Sequence, residues 1–231
     1  MQPTDPRDAA VNDDETTAAR ATGSAGERSR TRPKPGERRV LILQTLAAML
    51  EAPKREKITT AALAARLDIS EAALYRHFAS KAQMFEGLIE FIESTFFGLI
   101  NQIVEKEPDG VLQARAIGLM LLNFAARNPG MTRVLTGEAL VGEHERLGER
   151  VDRLFERVEA SVRQSLRVAL AGEQADDDAR AAEPRPAAYD PALRANLLMT
   201  YVLGQWHRYV RSGFAKAPTE RADPQLQLIL R

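Results

Sequence analysis

Hydrophobic residues recur every three or four positions over most of the chain, beginning near Arg38. This spacing is typical of amphipathic α-helices, whereas a half-buried strand would alternate polar and apolar residues with a period of two. The longest periodic runs span residues 81–107, 111–126, 140–170 and 193–210. Shorter runs precede and separate them, with proline, glycine and polar residues at the breaks. Because no useful length of sequence alternates with a period of two, the chain predicts an all-α fold.

Residues 59–81 predict two short helices that cross each other after a break of three or four residues. Thr59 or Thr60 is placed to cap the first helix and Ser70 the second, because a hydroxyl there accepts a hydrogen bond from a backbone N–H of the first turn. The break falls at Asp68. With a supporting helix before it, the pair is typical of a helix-turn-helix, whose second helix enters the major groove of DNA.

The outward residues of this pair are small, hydroxylated or basic, which suits a surface that approaches base edges and phosphates. A helix start offers hydroxyls and backbone N–H groups to a phosphate oxygen, and a tyrosine or lysine can bind phosphate as well. Taken singly, each residue could instead be a helix cap, a packing residue or a structural histidine. The candidate DNA-binding residues are Thr59, Thr60, Ser70, Ala72, Ala73, Tyr75, Arg76, His77 and Lys81.

The distribution of charge points to the same segment. The chain has 32 basic and 32 acidic residues and a formal net charge of zero. Residues 28–81 nevertheless carry 12 basic against 5 acidic side chains, whereas residues 1–27 carry 2 basic and 6 acidic ones. A basic segment in an otherwise mildly acidic chain indicates a surface for a polyanion, although a solvated basic tail would give the same count.

Composition narrows the class of protein. Hydrophobic residues make up 44% and charged residues 28% of the 231 positions, as in ordinary globular proteins. There is no cysteine, which excludes disulfides, thiolate metal sites and cysteine nucleophiles. The sequence shows no secretory signal and no run of the ~18 apolar residues that span a bilayer. We therefore expect a cytoplasmic protein without a membrane partner.

The chain divides into segments of different composition. Residues 1–35 lack hydrophobic periodicity and are rich in small and polar residues, so we expect a disordered arm there. Residues 36–81 are predicted to form the helix-turn-helix domain and residues 82–231 a larger helical domain. Within the latter, the polar and proline-containing stretch 172–188 is predicted to be a flexible loop.

The segment ITTAALAARLDISEAALYRHFASKAQMF resembles the DNA-binding region of the TetR family of regulators. In that family the recognition helix ends in a Tyr-x-x-Phe-x-x-Lys pattern, which falls here on Tyr75, Phe78 and Lys81. The resemblance implies an N-terminal three-helix helix-turn-helix domain followed by a C-terminal helical dimerisation bundle. It also implies a homodimer that reads a palindromic site in double-stranded DNA, with one or several dimers on each site.

A broad apolar face on the eighth predicted helix agrees with the implied dimer. This face is wider than one small domain needs for its own core, so a symmetry-related copy is a plausible partner for it. The other interpretation is that the face only closes the core of one chain. The candidate dimer-interface residues are Leu197, Tyr201, Trp206 and Tyr209.

Longer phrases narrow the resemblance to one branch of the TetR family. SEAALYRHFASK, ARNPGMTRVLTGEAL and LFERVEA occur in the same order as in regulators that inhibit cell division over chromosomal DNA (nucleoid occlusion). The resemblance implies that the DNA-bound, nucleoid-associated protein binds the C-terminal tail of the tubulin-like GTPase FtsZ, in a groove between the fourth and fifth helices. An apolar trough with a cation at its rim would suit an acid-containing amphipathic tail. The residues carried over are Phe91, Met120, Asn123, Arg127 and Asn128.

Two other functions compete with this interpretation. A ligand-responsive TetR-type repressor would hold a small molecule in a cavity among the helices of the larger domain, and periodicity does not distinguish a filled bundle from a hollow one. An enzyme is disfavoured because the three histidines form no HExxH pair, and neither a phosphate-binding glycine loop nor a Gly-x-Ser-x-Gly elbow occurs. We therefore expect neither catalysis nor a cofactor.

Overall fold

The computed structural model describes residues 36–52, 57–175 and 189–231. The predicted arm over residues 1–35 lies outside the described residues, as does most of the predicted loop. Within the described ranges every regular element is helical, which confirms the all-α fold. The helices are α1 (Glu37–Leu50), α2 (Thr60–Arg66), α3 (Glu71–Tyr75), α4 (Lys81–Lys106), α5 (Gly110–Arg127), α6 (Pro129–Leu135), α7 (Arg146–Ala175), α8 (Pro191–Arg211) and α9 (Ala222–Leu230), with a 3₁₀ turn at Glu138–Leu140.

Short polar side chains start the long helices. Ser80 accepts a hydrogen bond from the backbone N–H of Gln83 at the start of α4. Asp109 and Asp190 do the same at the starts of α5 and α8, where their carboxylates accept from N–H groups of the first turn. A carboxylate at this position also interacts favourably with the positive end of the helix dipole. The starts of α4, α5 and α8 therefore lie where the local sequence places them.

The structure corrects both ends of the predicted seventh helix. The prediction begins it at Leu140, but a 3₁₀ turn ends at that residue and the chain then bends through Gly142, whose φ is 75°. Only glycine adopts this left-handed conformation without steric cost, so α7 begins later, at Arg146. The helix also continues through Ala175 into the predicted 172–188 loop, because Glu, Gln and Ala are strong helix formers.

Helix α4 is the centre of the fold. It packs against α1, α5, α6 and α7, and α5 in turn packs against α7, α8 and α9. By length and composition alone, α4 could cross a membrane. In the fold its apolar side lies in the core, and two of its carboxylates, Glu86 and Glu93, pair with Arg146 and Arg157 of α7. These contacts make α4 the central helix of a packed bundle.

Aromatic rings fill the middle of the bundle formed by α4, α5, α7 and α8. Phe96 meets Phe124 edge to face with ring centroids 4.8 Å apart, and Trp206 lies 6.3 Å from Phe96 and 5.9 Å from Phe155. Trp206 is 0% exposed. Its assignment to the dimer interface was therefore wrong: the indole belongs to the core of its own chain, because α8 turns it towards α4 and α7.

Candidate nucleic-acid interface and partner groove

Helices α2 and α3 form the predicted helix-turn-helix. The turn between them is a Schellman motif, in which the N–H of Ile69 bonds to the carbonyl of Ala64 and the N–H of Asp68 to that of Ala65. Asp68 adopts a φ of 54° at the position where glycine is common. Leu63 and Leu74, at 1% and 0% exposure, hold the two helices together from the inner side. The rest of both helices is left largely facing outward.

The two predicted capping residues act as caps. The hydroxyl of Thr59 accepts a hydrogen bond from the N–H of Ala62 at 3.1 Å, and that of Ser70 accepts from the N–H of Ala73 at 3.1 Å. Both residues are exposed, so each oxygen lies at the surface beside unpaired N–H groups of a helix start. On α3, Ala72 is exposed and Ala73 is half-buried. Because both side chains are small, the base edges of a DNA major groove can come close to this helix.

A chain of side-chain hydrogen bonds joins α2 to α3. Tyr75 donates through its hydroxyl to Oγ1 of Thr60 at 3.4 Å, and Thr60 donates to Oε2 of Glu71 at 2.6 Å. Two predicted phosphate contacts are thus held side by side on the outer surface. Glu71 was not among the predicted site residues, although its place one residue after the Ser70 cap could have drawn attention to it.

The end of the recognition helix is fixed by a residue of α1. Arg39 donates through Nη1 to the backbone carbonyl of His77, and its guanidinium stacks on the ring of Phe78 at 4.1 Å. His77 is half-buried here, whereas Arg76 beside it is exposed and available to a phosphate. Arg39 was missed by the sequence analysis because it lies 38 residues from its acceptor.

Lys81 does not lie free at the surface. Its Nζ is 2.5 Å from Oε1 of Glu143, in the bend before α7, and the two side chains are 21% and 10% exposed. The ammonium also lies 5.6 Å from the ring centroid of Phe85. A lysine has three donors, so one carboxylate does not saturate it. The predicted phosphate contact of Lys81 is therefore shared with an ion pair to the larger domain.

The predicted partner-groove residues lie on the packed pair α4 and α5. Phe91 is 52% exposed on α4, although it is a large apolar residue in a long helix. On α5, Met120 is half-buried, Asn123 is exposed and Arg127 is exposed at the last residue of the helix. Asn128 is half-buried, and its amide donates to the carbonyl of Phe124 at 2.8 Å, so part of it is used to end the helix.

The outer face of α8 is open only in part. Leu193 and Leu197 are 54% and 42% exposed. A Cβ added to the exposed Gly204 would have no neighbouring atom within 4 Å. Tyr201 is half-buried and donates to Oε1 of Gln225 at 2.6 Å. Tyr209, at 6% exposure, turns inward instead. The open surface is therefore a narrower strip than the sequence predicts.

Burial changes the titration of two tyrosines on α8. Removal from water raises the pKa of Tyr201 and of Tyr209 above the ordinary value, because it disfavours the phenolate. Tyr209 also donates to the carbonyl of Ala126 at 3.4 Å and packs on Phe214, with ring centroids 5.1 Å apart. With its hydroxyl and ring used within one chain, Tyr209 offers little surface to a second copy, and its place in the dimer interface stays a prediction.

Two family models match the chain. The model "Bacterial regulatory proteins, tetR family" matches residues 56–88, which include α2 and α3. The model "Tetracyclin repressor-like, C-terminal domain", named SlmA-like, matches residues 109–231. Together these matches cover the helix-turn-helix and most of the larger helical region.

Curated relatives share about half of their residues with this chain. The Nucleoid occlusion factor SlmA of Idiomarina loihiensis is 50% identical over 192 residues, which is 83% of this chain and 93% of the relative. The protein of the same name from Alteromonas mediterranea is 46% identical over 83% of this chain and 93% of its own length. Identity at this level over most of both chains shows a common family.

Solved structures of low sequence identity share the fold. The FadR fatty acid degradation regulator of Bacillus halodurans superposes with a TM-score of 0.68 at 14% identity, covering 86% of this chain and 97% of its own. The transcriptional regulator FadR of Bacillus subtilis, in complex with stearoyl-CoA, gives 0.66 at 10% identity, covering 83% and 97%. By the two family models and the curated relatives, the chain belongs to the TetR family of bacterial DNA-binding regulators and, within it, to the nucleoid occlusion factors named SlmA.

Proposed function

We propose that this DNA-binding regulator inhibits cell division over the nucleoid by capturing the C-terminal tail of FtsZ while it is bound to DNA. The observation that carries the proposal is the course of α4. This helix begins at Ser80 and Lys81, directly after the recognition helix, and exposes the apolar ring of Phe91 ten residues further along. One rigid element thus joins the DNA-reading end of the molecule to an unfilled apolar surface.

The surface around Phe91 has the chemistry that an acidic amphipathic peptide requires. Phe91 and Leu99 are exposed on one i, i+4, i+8 row of α4, and Met120 is half-buried on the neighbouring α5. Arg127 lies exposed at the end of α5 and supplies a positive rim. A peptide that lays an apolar face into this groove would place its carboxylates near that guanidinium.

DNA recognition by a homodimer completes the proposal. Leu193, Leu197 and Gly204 leave a strip on α8 where a second copy of the helix could approach closely. A two-fold dimer would present two copies of α3 to a palindromic site about 34–36 Å apart, one turn of B-DNA. The same proposal includes the binding of several dimers to one DNA site. It also includes an association of the protein with the nucleoid in the cytoplasm.

The alternative, a ligand-responsive repressor, has less support in this chain. Such a protein needs a cavity inside the helical domain. The centre of the bundle is occupied by Phe96, Phe124 and Trp206, at 0%, 9% and 0% exposure. A cleft of about 440 Å³ does lie between α4, α5 and α7, but exposed residues such as Asn101 and Val104 line it, so it is a surface cleft and not an enclosed cavity. The FadR structure bound to stearoyl-CoA is only 10% identical to this chain, so the likeness concerns the fold and not the ligand.

The deciding experiment separates the two binding surfaces. An unbiased oligonucleotide selection first identifies the preferred DNA, and FtsZ polymerisation is then followed with the protein alone, with random DNA and with the selected DNA. We expect inhibition to be strongest with the selected DNA. Arg127→Glu should abolish inhibition and binding of an FtsZ-tail peptide while DNA affinity stays within about twofold, because Arg127 ends α5, which packs mainly against α4, α7, α8 and α9 and not against the helix-turn-helix.

Lys106→Glu is the matched control, since it reverses an exposed charge at the far end of α4. It should leave both activities unchanged. Equal loss of DNA binding and peptide binding in Arg127→Glu would contradict the proposal of two separate sites. A lack of any preferred DNA in the selection would contradict the proposal as a whole.

A further inference from the structure

Arg133 is a cation buried at the junction between the helix-turn-helix segment and the rest of the fold. It lies on α6 and is only 5% exposed. Its Nη1 donates to the carbonyl of Leu50 at 2.8 Å and to that of Ala52 at 2.7 Å. A buried guanidinium is costly unless it is paired or hydrogen-bonded, and the two bonds from Nη1 offset part of that cost and hold the side chain in a defined position.

One acceptor, the carbonyl of Leu50, is the last of α1, and the other, that of Ala52, lies two residues beyond the end of the helix. The final four carbonyls of a helix have no partner within it and carry the negative end of the helix dipole. Arg133 supplies the missing donor and a positive charge from α6, more than 80 residues away along the chain. Helix α1 supports the recognition helix, because Arg39 of α1 holds His77 and Phe78. Arg133 is thus a C-terminal cap that one part of the molecule provides for another.

The remaining contacts of Arg133 reach the 3₁₀ turn and the end of α8. Its Nε lies 3.2 Å from Oε1 of Glu138 without forming a hydrogen bond, and its guanidinium lies 4.7 Å from the ring centroid of Phe214. Phe214 follows the last turn of α8 and has a φ of 68°, a left-handed conformation that is strained for a bulky residue. The surrounding contacts therefore hold the Phe214 ring in place against Arg133.

Backbone packing at the same junction is tight. A Cβ added to Gly130, at the start of α6, would lie 2.0 Å from the carbonyl oxygen of Ala47 in α1. The close approach of α6 to α1 leaves little room for one helix to tilt against the other. The guanidinium of Arg133 adds a polar link at the same junction.

We propose that Arg133 is a positioning residue for DNA recognition, which fixes the orientation of the helix-turn-helix relative to α8. The inference rests on the proposed dimer, in which α8 joins the two copies. The separation and angle of the two recognition helices would then depend on the path from α8 through Phe214 and Arg133 to α1. Loss of Arg133 would loosen that path without touching any residue of the DNA-facing surface.

The test measures how strictly the full-length protein selects the spacing of DNA half-sites. Duplexes carry the selected palindrome with one base pair added or removed at its centre, which rotates one half-site by about 34°. Wild-type protein should lose about tenfold or more in affinity, the scale of one mismatched base pair. Arg133→Met should bind the native spacing more weakly and lose less than about threefold on the altered spacings. Its binding to random duplex should stay within about twofold, because phosphate contacts are unchanged.

Arg115→Met is the matched control. Arg115 is another partly buried arginine of the helical region, but it pairs with Asp223 between α5 and α9 and does not contact α1. Its removal should lower thermal stability and leave spacing selectivity at the wild-type level. This comparison separates a positioning role from a general loss of stability.

Two further variants cover the case in which Arg133→Met does not fold. Arg133→Lys keeps the charge but loses the planar guanidinium with its several N–H donors. Phe214→Gly removes the aromatic ring at a residue whose positive φ glycine adopts without strain. Reduced spacing selectivity in either folded variant supports the proposal. Wild-type selectivity in every folded variant overturns it. If the wild-type protein itself selects no DNA, the proposed function fails first, which is a distinguishable outcome.

Discussion

Replacing Glu143 with glutamine should make the protein less stable and, at the same time, a tighter DNA binder. The two effects have one cause, because Glu143 holds the ammonium of Lys81 at 2.5 Å and Lys81 is a predicted phosphate contact. The amide of glutamine keeps the size of the side chain but removes the charge. Lys81 then loses its partner in the free protein and can turn its donors to DNA.

The size of the stability loss follows from burial. Exposed ion pairs contribute about 0–1 kcal/mol, and breaking a fully buried pair costs about 3–5 kcal/mol. With side chains 21% and 10% exposed, the pair of Lys81 and Glu143 lies between these cases. We expect a loss of about 2 kcal/mol, which for a protein of this length lowers the Tm by about 4–8 °C.

The gain in DNA affinity is a counterion effect. One more lysine on a phosphate steepens the plot of log affinity against log salt by about one unit per bound chain. At 0.1 M salt this corresponds to an affinity about five- to tenfold higher. Denaturation in urea gives the stability, and fluorescence anisotropy between 50 and 200 mM salt gives the slope.

Two controls accompany this measurement. Lys81→Met breaks the same ion pair and should lower stability by a similar amount, but it should weaken DNA binding instead. Glu86→Gln removes a more exposed carboxylate that pairs with Arg146, so both quantities should change little. If Glu143→Gln shows the wild-type salt slope, Lys81 does not reach a phosphate when it is released, and the reasoning is refuted.

Two further predictions concern stability. Asp223→Asn should remove a contribution to the free energy of unfolding that depends on pH. The hydrogen bond from Arg115 lowers the pKa of Asp223 below 3.8. The pair therefore stabilises the fold fully above about pH 4, and this stabilisation is lost as the pH falls through the lowered pKa. Urea midpoints of variant and wild type should then converge in acid, and a constant difference down to pH 2 would exclude this. Gly110→Ala should cost about 1–3 kcal/mol because its Cβ would lie 2.0 Å from the Ser165 carbonyl oxygen, whereas Gly98→Ala, with open space around it, should stabilise by about 0.5–1 kcal/mol. Thermal denaturation measures both, and equal shifts would contradict the packing argument.

Local features of the fold can be predicted from the sequence because their causes are local. Thr59, Ser70 and Ser80 each cap the helix that follows, as the hydroxyl positions predict. Each capping hydroxyl and the backbone N–H that donates to it are only three residues apart, so a short window of sequence contains the whole interaction. The turn at Asp68 is a similar case, since its Schellman bonds span five residues at most.

Burial on a broad apolar face is harder to predict. The apolar positions of α8 repeat with helical spacing, but periodicity gives the width of a face and not which neighbour covers it. Trp206 and Tyr209 face inward, to the aromatic core and to α5, whereas Leu197 stays exposed. All three fit the same stripe of the sequence, and only the packing of α4, α5 and α7 separates them.

The contacts that join distant parts of the chain leave no signal in a single sequence. Lys81 and Glu143 are 62 residues apart, and Arg133 lies 83 residues from Leu50. Each residue alone is an ordinary charged position on a helix or in a bend. Both links nevertheless join the helix-turn-helix segment to the helical region, so this part of the site appears only in three dimensions.

A single helix connects the proposed DNA and partner surfaces, and this connection constrains how they can communicate. The 26 residues of α4 extend about 39 Å, and its inner side is closely packed along this length. Close packing prevents one end from moving while the other stays fixed, so a change at Lys81 on DNA binding would shift Phe91 as well. Linkage then requires reciprocity: if DNA raises the affinity of the groove for its peptide by some factor, the peptide raises the affinity for DNA by the same factor. If DNA binding strengthens partner binding through α4, then partner binding also strengthens the binding of this protein to the chromosome.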